Sequence, residues 1–250
     1  SGTTLDFSAL DGGNFAINVD DGGSNTMTIG ADAGTDVIDF DIGDSTWDVN
    51  NVPTFDFGST TPSFEVTGSG TFDLASNSPL IFSANGQSLD ASTFTGDLTV
   101  ALTREGTDTD NFDINLGQGV NDVTVSGAAD GSGTLSFVIP SEGMGKTTIT
   151  GFGTEPDTAT SFAPSKNDLL DFSNITGLDT GSTNDATLTS ELQGLDNEGD
   201  TFTLGDLEFT RSGSDVKIDD TADQALTGPI TIVAAEDDLS AGNFNLDGTT

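Results

Sequence analysis

The 250-residue chain has no cysteine, no histidine and no tyrosine, one tryptophan, and only five lysines and arginines. Each absence closes a class of chemistry. Without Cys there are no disulfides, no thiolate metal sites and no cysteine nucleophile. Without His, the Ser-His and Cys-His catalytic pairs cannot form, and zinc has neither an imidazole nor a thiolate ligand. The formal net charge is −37. No basic patch exists to displace counterions from nucleic acid, and an anionic lipid surface repels such a chain. No apolar run approaches the ~20 residues that a membrane-crossing helix needs. Lys146 and Lys166 stand beside no glycine-rich phosphate loop. Among 42 acids some pair always has glycosidase spacing, so a pair alone argues nothing, and Trp47 is the one candidate aromatic platform for a sugar. A non-catalytic protein is expected.

What the sequence does contain is Asp: 34 of them against 8 Glu, beside 32 Gly. An acidic surface that served only solubility or salt tolerance could use Glu as readily. Asp is the short-armed carboxylate that turns use to hold a hard cation, and calcium takes six to eight oxygens from carboxylates, carbonyls and water. Calcium is therefore the expected cofactor. The candidate ligands form groups along the chain. Asp32, Asp36, Asp39, Asp41 and Asp44 make one, and Asp215, Asp219, Asp220 and Asp223 another. Asp108, Asp110 and Asp113 precede a Gly-x-Gly turn, Gly117 to Gly119, that leads into Asp122 and an alternating strand. Asp168 and Asp171 complete the set. Taken singly, any of these is an ordinary solvated turn former. No stretch fits the EF-hand loop.

Apolar content is 33%, low for a globular domain, yet 17 Phe with Val, Ile and Leu can build a thin β core. High charge with low hydrophobicity also marks disorder. Period-two alternation argues against it: Ile38-Phe40-Ile42, Phe64-Val66, Phe72-Leu74, Leu98-Val100-Leu102, Phe112-Ile114-Leu116, Val123-Val125 and Phe202-Leu204. Asp-Gly, Gly-Gly and Ser-Gly pairs punctuate these strands. The pattern predicts an all-β chain with at most one short helix, at 186–195 with Leu188, Leu192 and Leu195 on one face. Either a sandwich or a solenoid satisfies it. Prolines mark connectors at 51–62 and 154–166. The expected division is a repeat-like β domain over 1–153, a linker over 154–166 and a C-terminal β domain over 167–250. One phrase recurs, as Leu5-Asp6-Phe7-Ser8, Leu89-Asp90-Ala91-Ser92 and Leu170-Asp171-Phe172-Ser173. A second links Gly34-Thr35-Asp36-Val37-Ile38 with Asn121-Asp122-Val123.

Residues 117–125 resemble the nonapeptide G-G-x-G-x-D-x-U-x of RTX proteins, with one extra residue between the second Gly and the Asp. Residues 147–175 resemble the "I-T-x-F … D-x-L-D-L-S-x-I" phrase near the C-termini of type I secreted bacterial proteins, and residues 230–246 resemble their "L-T-x-x-D-F" close. Residues 89–100 are similar to strands of calcium-dependent surface-layer (S-layer) proteins of that secretion class. The resemblance implies an irregular, calcium-stabilised β-solenoid or β-roll, exported by a type I system, that folds and self-assembles outside the cell. A chain beginning at Ser1 fits a processed product, a fragment, or export that reads the C-terminus. The expected location is extracellular, at the cell surface. The expected partners are further copies of the chain and cell-surface polysaccharide. The alternative is an adhesin or carbohydrate-binding module of a larger secreted protein. A virion fibre or decoration protein and a salt-adapted surface protein fit less well, for want of coiled-coil or collagen-like stretches and of Glu.

Overall fold

The computed structural model describes residues 63–74, 80–82, 85–104, 110–126, 134–141, 143–152, 168–175, 185–221, 226–233, 239 and 243–246, with the backbone of strands at 14–16, 27–28, 37–41, 46–48 and 55–56. In chain order the strands are β1 (Asn14–Ala16), β2 (Met27–Thr28), β3 (Val37–Asp41), β4 (Thr46–Asp48), β5 (Phe55–Asp56), β6 (Ser63–Thr67) and β7 (Thr71–Leu74). They continue as β8 (Leu80–Phe82), β9 (Ser88–Asp90), β10 (Asp97–Arg104), β11 (Phe112–Asn115), β12 (Asn121–Ser126), β13 (Leu135–Val138), β14 (Thr147–Thr150) and β15 (Leu169–Asp171). After helix α1 (Asp185–Gln193) come β16 (Thr201–Leu204), β17 (Leu207–Ser212), β18 (Asp215–Asp220), β19 (Ile230–Val233) and β20 (Phe244–Asn245).

The described strands form two sheets. The larger runs β1-β4-β7-β10-β12-β14-β19-β18-β17-β16, with β2, β5 and β8 joined through β10; the smaller runs β20-β15-β13-β11-β9-β6-β3. Among the described strands every pairing is parallel except those linking β16, β17, β18 and β19. Parallel neighbours need a crossover connection. Here the crossover is a strand of the other sheet: from β9 to β14 the chain alternates sheets and returns one position further along. Thr103 thus meets Ser126, 23 residues on, and Asn121 meets Thr147, 26 residues on. Over the earlier laps the larger sheet has two short segments per lap. β10 fuses them, pairing with β7 through Asp97–Val100 and with β8 through Leu102–Arg104.

The alternation read from the sequence explains the core. In β12, Val123 and Val125 turn inward while Asp122 and Ser126 are exposed. Because the pairing is in register, inward residues stack into columns. One is Phe64, Leu89, Ile114, Phe137, Leu170 and Phe244; the other is Leu74, Val100, Val123, Ile149, Ile232 and Val216. All twelve are buried. Each such side chain contributes about 1.5–3 kcal/mol by leaving water. Phe64 and Phe72 meet with ring centroids 6.0 Å apart, bringing the two sheets together across the core.

One corner explains a glycine series. A Cβ on Gly96 would lie 1.8 Å from the carbonyl oxygen of Gly70, and one on Gly119 would lie 2.1 Å from that of Gly96. Successive laps touch backbone to backbone here, and no side chain fits. The recurring Leu-Asp-x-Ser phrase marks another corner. Asp90 accepts a hydrogen bond from Ser92 N and Asp171 one from Ser173 N, at 3.0 and 2.9 Å. The residues after each Asp bond to neighbouring laps in the same way, Ala91 N to Asn115 O and Phe172 N to Asn245 O. Leu5 to Ser8 lies outside the described residues. The second phrase joins unlike places, because Val37 belongs to the smaller sheet and Asp122 to the larger.

The helix forms over the expected stretch, and Leu188, Leu192 and Leu195 join the single buried core. It closes where Gly194 N bonds back to Ser190 O and Glu191 O. No helix among the described residues is long and apolar enough to cross a membrane. The first expected connector contains β5, and the second, 154–166, lies outside the described residues. Strands before and after that second stretch pair directly, β13 with β15 and β14 with β19.

Candidate functional site

The register also lines up acids, at matched positions on the strands of the first laps. Asp39, Glu65 and Asp90 occupy matched register positions on β3, β6 and β9, and Asp48 matches Asp73 on β4 and β7. Neighbouring strands are about 4.7–4.9 Å apart, and like charges directly opposite each other destabilise a sheet. No Lys or Arg precedes Arg104 in the chain to answer them. Further along the smaller sheet the same column reads Asn115, Val138, Asp171 and Asn245. There an amide answers the acid: Asn245 Nδ2 donates to Asp171 Oδ1 at 3.0 Å. Glu65, Asp73 and Asp90 escaped the sequence-derived ligand set because their partners lie a whole lap away.

The expected ligands distribute as follows. Asp32, Asp36, Asp44, Asp108 and Asp223 lie outside the described residues. Asp39 and Asp41 stand two residues apart on β3, opposite Glu65 and Thr67 in register. Asp110 is half-buried just before β11. Asp113 and Asp122, neighbours in sequence, point outward from different sheets. Burial raises the Asp113 carboxyl above its ordinary value of 3.8, and the negative charge of Asp171 raises it further. Asp122 is exposed, flanked by Thr99 and Thr148. On β18, Asp215 and Asp219 share the outer face with Lys217 between them, while Asp220 is buried and accepts from Leu226 N at 3.4 Å.

The Gly-x-Gly turn is closed by an amide. Asn121, wholly buried, donates through Nδ2 to the carbonyls of Gly117 and Gly119 and to Thr147 Oγ1, and accepts from Gly117 N, all within 3.0–3.1 Å. Asp168 is also engaged. It forms an ion pair with Arg104 at 2.9 Å, the two side chains 4% and 10% exposed, and its carbonyl accepts from Asn243 Nδ2. The pair ties the end of β10 to the start of β15.

A further acidic loop, Asp196 to Asp200, precedes β16. Asn197 donates from both its backbone and its side chain to Asp200, and these bonds hold the Asp200 carboxyl below its ordinary value. Glu198 accepts from Gly213 N. Among the described residues no group of three or more His, Cys, Asp or Glu is gathered closely enough to hold a metal ion. What the described residues offer is acids at matched register positions on successive laps rather than an enclosed cage. No protein-family model, curated protein or solved structure matches the chain.

Proposed function

We propose that the chain is a non-catalytic extracellular structural protein, wound as an irregular β-solenoid, that folds with calcium and self-assembles into a surface layer, matrix sheet or filament. The solenoid reading is supported by parallel ladders in two sheets that advance by one strand per lap. The functional reading is carried by the in-register placement of acidic residues along the backbone ladders, Asp39 with Glu65 with Asp90 and Asp48 with Asp73. Winding the chain is what brings those charges together. In the extended chain they are about 25 residues apart, beyond mutual repulsion under physiological screening. Folding therefore creates a repulsion that divalent cations relieve, and folding is linked to cation binding by mass action. Calcium suits oxygen-only ligands in flexible geometry. A chain kept open without it passes readily through an export channel, and carboxylate faces left partly coordinated can share ions with another copy.

Far-UV circular dichroism with light scattering, begun in EDTA and followed through calcium addition, tests this reading. A coil-to-β transition with growth of scattering is expected. Calcium-driven folding without growth would remove the assembly and favour an adhesin or carbohydrate-binding module. A chain already fully β in EDTA would remove the calcium requirement.

A further inference from the structure

The last strand of the smaller sheet, β20, makes only two register pairs with β15, Leu170 with Phe244 and Asp171 with Asn245. Its side chains nevertheless make specific contacts. Asn243 is 1% exposed and donates to the carbonyl of Asp168 at 2.8 Å. Phe244 is buried, edge-on to Phe209 with centroids 5.5 Å apart. Asn245 donates to Asp171 Oδ1 at 3.0 Å, and its carbonyl accepts from Phe172 N. An Asn-Phe-Asn segment is thus read by one backbone carbonyl, one carboxylate, one backbone N–H and one aromatic ring. Within the smaller sheet β20 is terminal, so it can leave without parting any other pair of strands.

We infer that the β15 edge is a receptor groove for this segment and that it takes β20 from a second copy of the chain, so that subunits join by strand exchange. The inference rests on the assembling reading above and names its contact. An exchanged strand makes the same hydrogen bonds and ring contact as its own, which is why swapping an identical element is a low-cost route between copies. Residues 234–242 separate β19 from Asn243 and include Leu239, which is buried in the core; with Leu239 exchanged together with β20, such a stretch reaches about 30 Å when extended. That is enough to cross to an adjacent subunit. Each donor leaves its own groove open to another copy, which gives an open chain or a closed ring. Main-chain bonds of the added strand supply affinity and the Asn and Phe pockets supply selectivity. Copies carrying a charge of −37 repel at a distance, so their contact must be short-range and specific.

The absence of cysteine allows a direct test. Asp171→Cys is made in one chain and Asn245→Cys in another, and the two are mixed in calcium under mild oxidation. The mixed disulfide should be the main cross-linked species and should rise with protein concentration. The double variant, oxidised when dilute, should lock within one chain and lose the calcium-induced growth in scattering. Locking of the double variant with no mixed disulfide would overturn the exchange, as would a locked variant that assembles as fully as the native chain. Failure to lock would overturn the groove itself. A mixed disulfide between the two single variants, with a native chain that forms no larger species in calcium, would instead refute the surface-layer reading and leave the exchange standing.

Discussion

Asp168 can have Arg104 as its counter-ion or calcium, and the two assignments predict opposite responses to calcium. Arg104 and Asp168 meet at 2.9 Å with almost no solvent access. Removing one partner of a buried pair costs about 3–5 kcal/mol, because the other charge is left without its answer. Asp168→Asn and Arg104→Met should each lower stability by this amount. For a chain of this size the thermal midpoint falls roughly 2–4 °C per kcal/mol, so a loss of roughly 6–20 °C is expected. The joint variant Arg104→Met with Asp168→Leu should recover most of the loss, since an apolar pair of similar bulk replaces a buried ion pair at little cost. Melts followed by circular dichroism compare the native chain with these three variants at low and saturating calcium. The losses should be the same at both calcium levels. If the Asp168→Asn loss instead grows with calcium while Arg104→Met costs nothing, the carboxylate serves an ion and the pairing argument is wrong.

Three further outcomes follow from the geometry. Asp113 titrates above 3.8 because burial and Asp171 oppose its charge. Its ionised form therefore weakens the fold at pH 7, and that penalty is relieved as pH falls through the folded-state value towards 3.8. Asp113→Asn should lower the calcium needed for folding near pH 7, with the advantage fading in acid. A higher calcium requirement would mark Asp113 as a ligand. Gly96→Ala places a methyl group against the Gly70 carbonyl, so the laps must part there. A loss of about 1–3 kcal/mol is expected in a chemical denaturation curve. Asn121→Ala strips its partner from the buried Gly117 carbonyl and N–H, while the Gly119 carbonyl keeps Gly145 N; each buried group left bare costs about 1–3 kcal/mol. A variant as stable as the parent would mean that this corner is open to water.

The strands and the helix were legible because alternation and Leu spacing are local signals. Val123 and Val125 turn inward with Asp122 outward, and Leu188, Leu192 and Leu195 share a buried face. The Leu-Asp-x-Ser phrase was a true repeat because Asp bonding to Ser N is a local corner bond. The direction of pairing was not legible, since a period of two serves parallel and antiparallel strands alike. Closeness in sequence is also a poor guide to which of the described Asp residues share a surface. Asp113 and Asp122 lie on different sheets, and Asp219 and Asp220 on opposite faces of one strand. The pairs that meet are far apart in the chain, such as Arg104 with Asp168 and Glu65 with Asp90. The carbonyls of Gly117 and Gly119 are bonded to Asn121, and nothing local in the sequence distinguishes that amide from any other in a recurring phrase.

The lap spacing has a consequence for how such a gene can change. Asp122 sits on Thr99 as Thr148 sits on Asp122, so each lap presents its successor with much the same surface. Contacts run only between neighbours in such a stack. A coding segment for one lap, 23 to 26 residues, can be duplicated or lost in frame by unequal recombination while both cut surfaces still match. Length is thereby a variable that inheritance can adjust in whole steps, and frameshifts aside, the tolerated changes are those that keep the glycine corner and the inward column in phase.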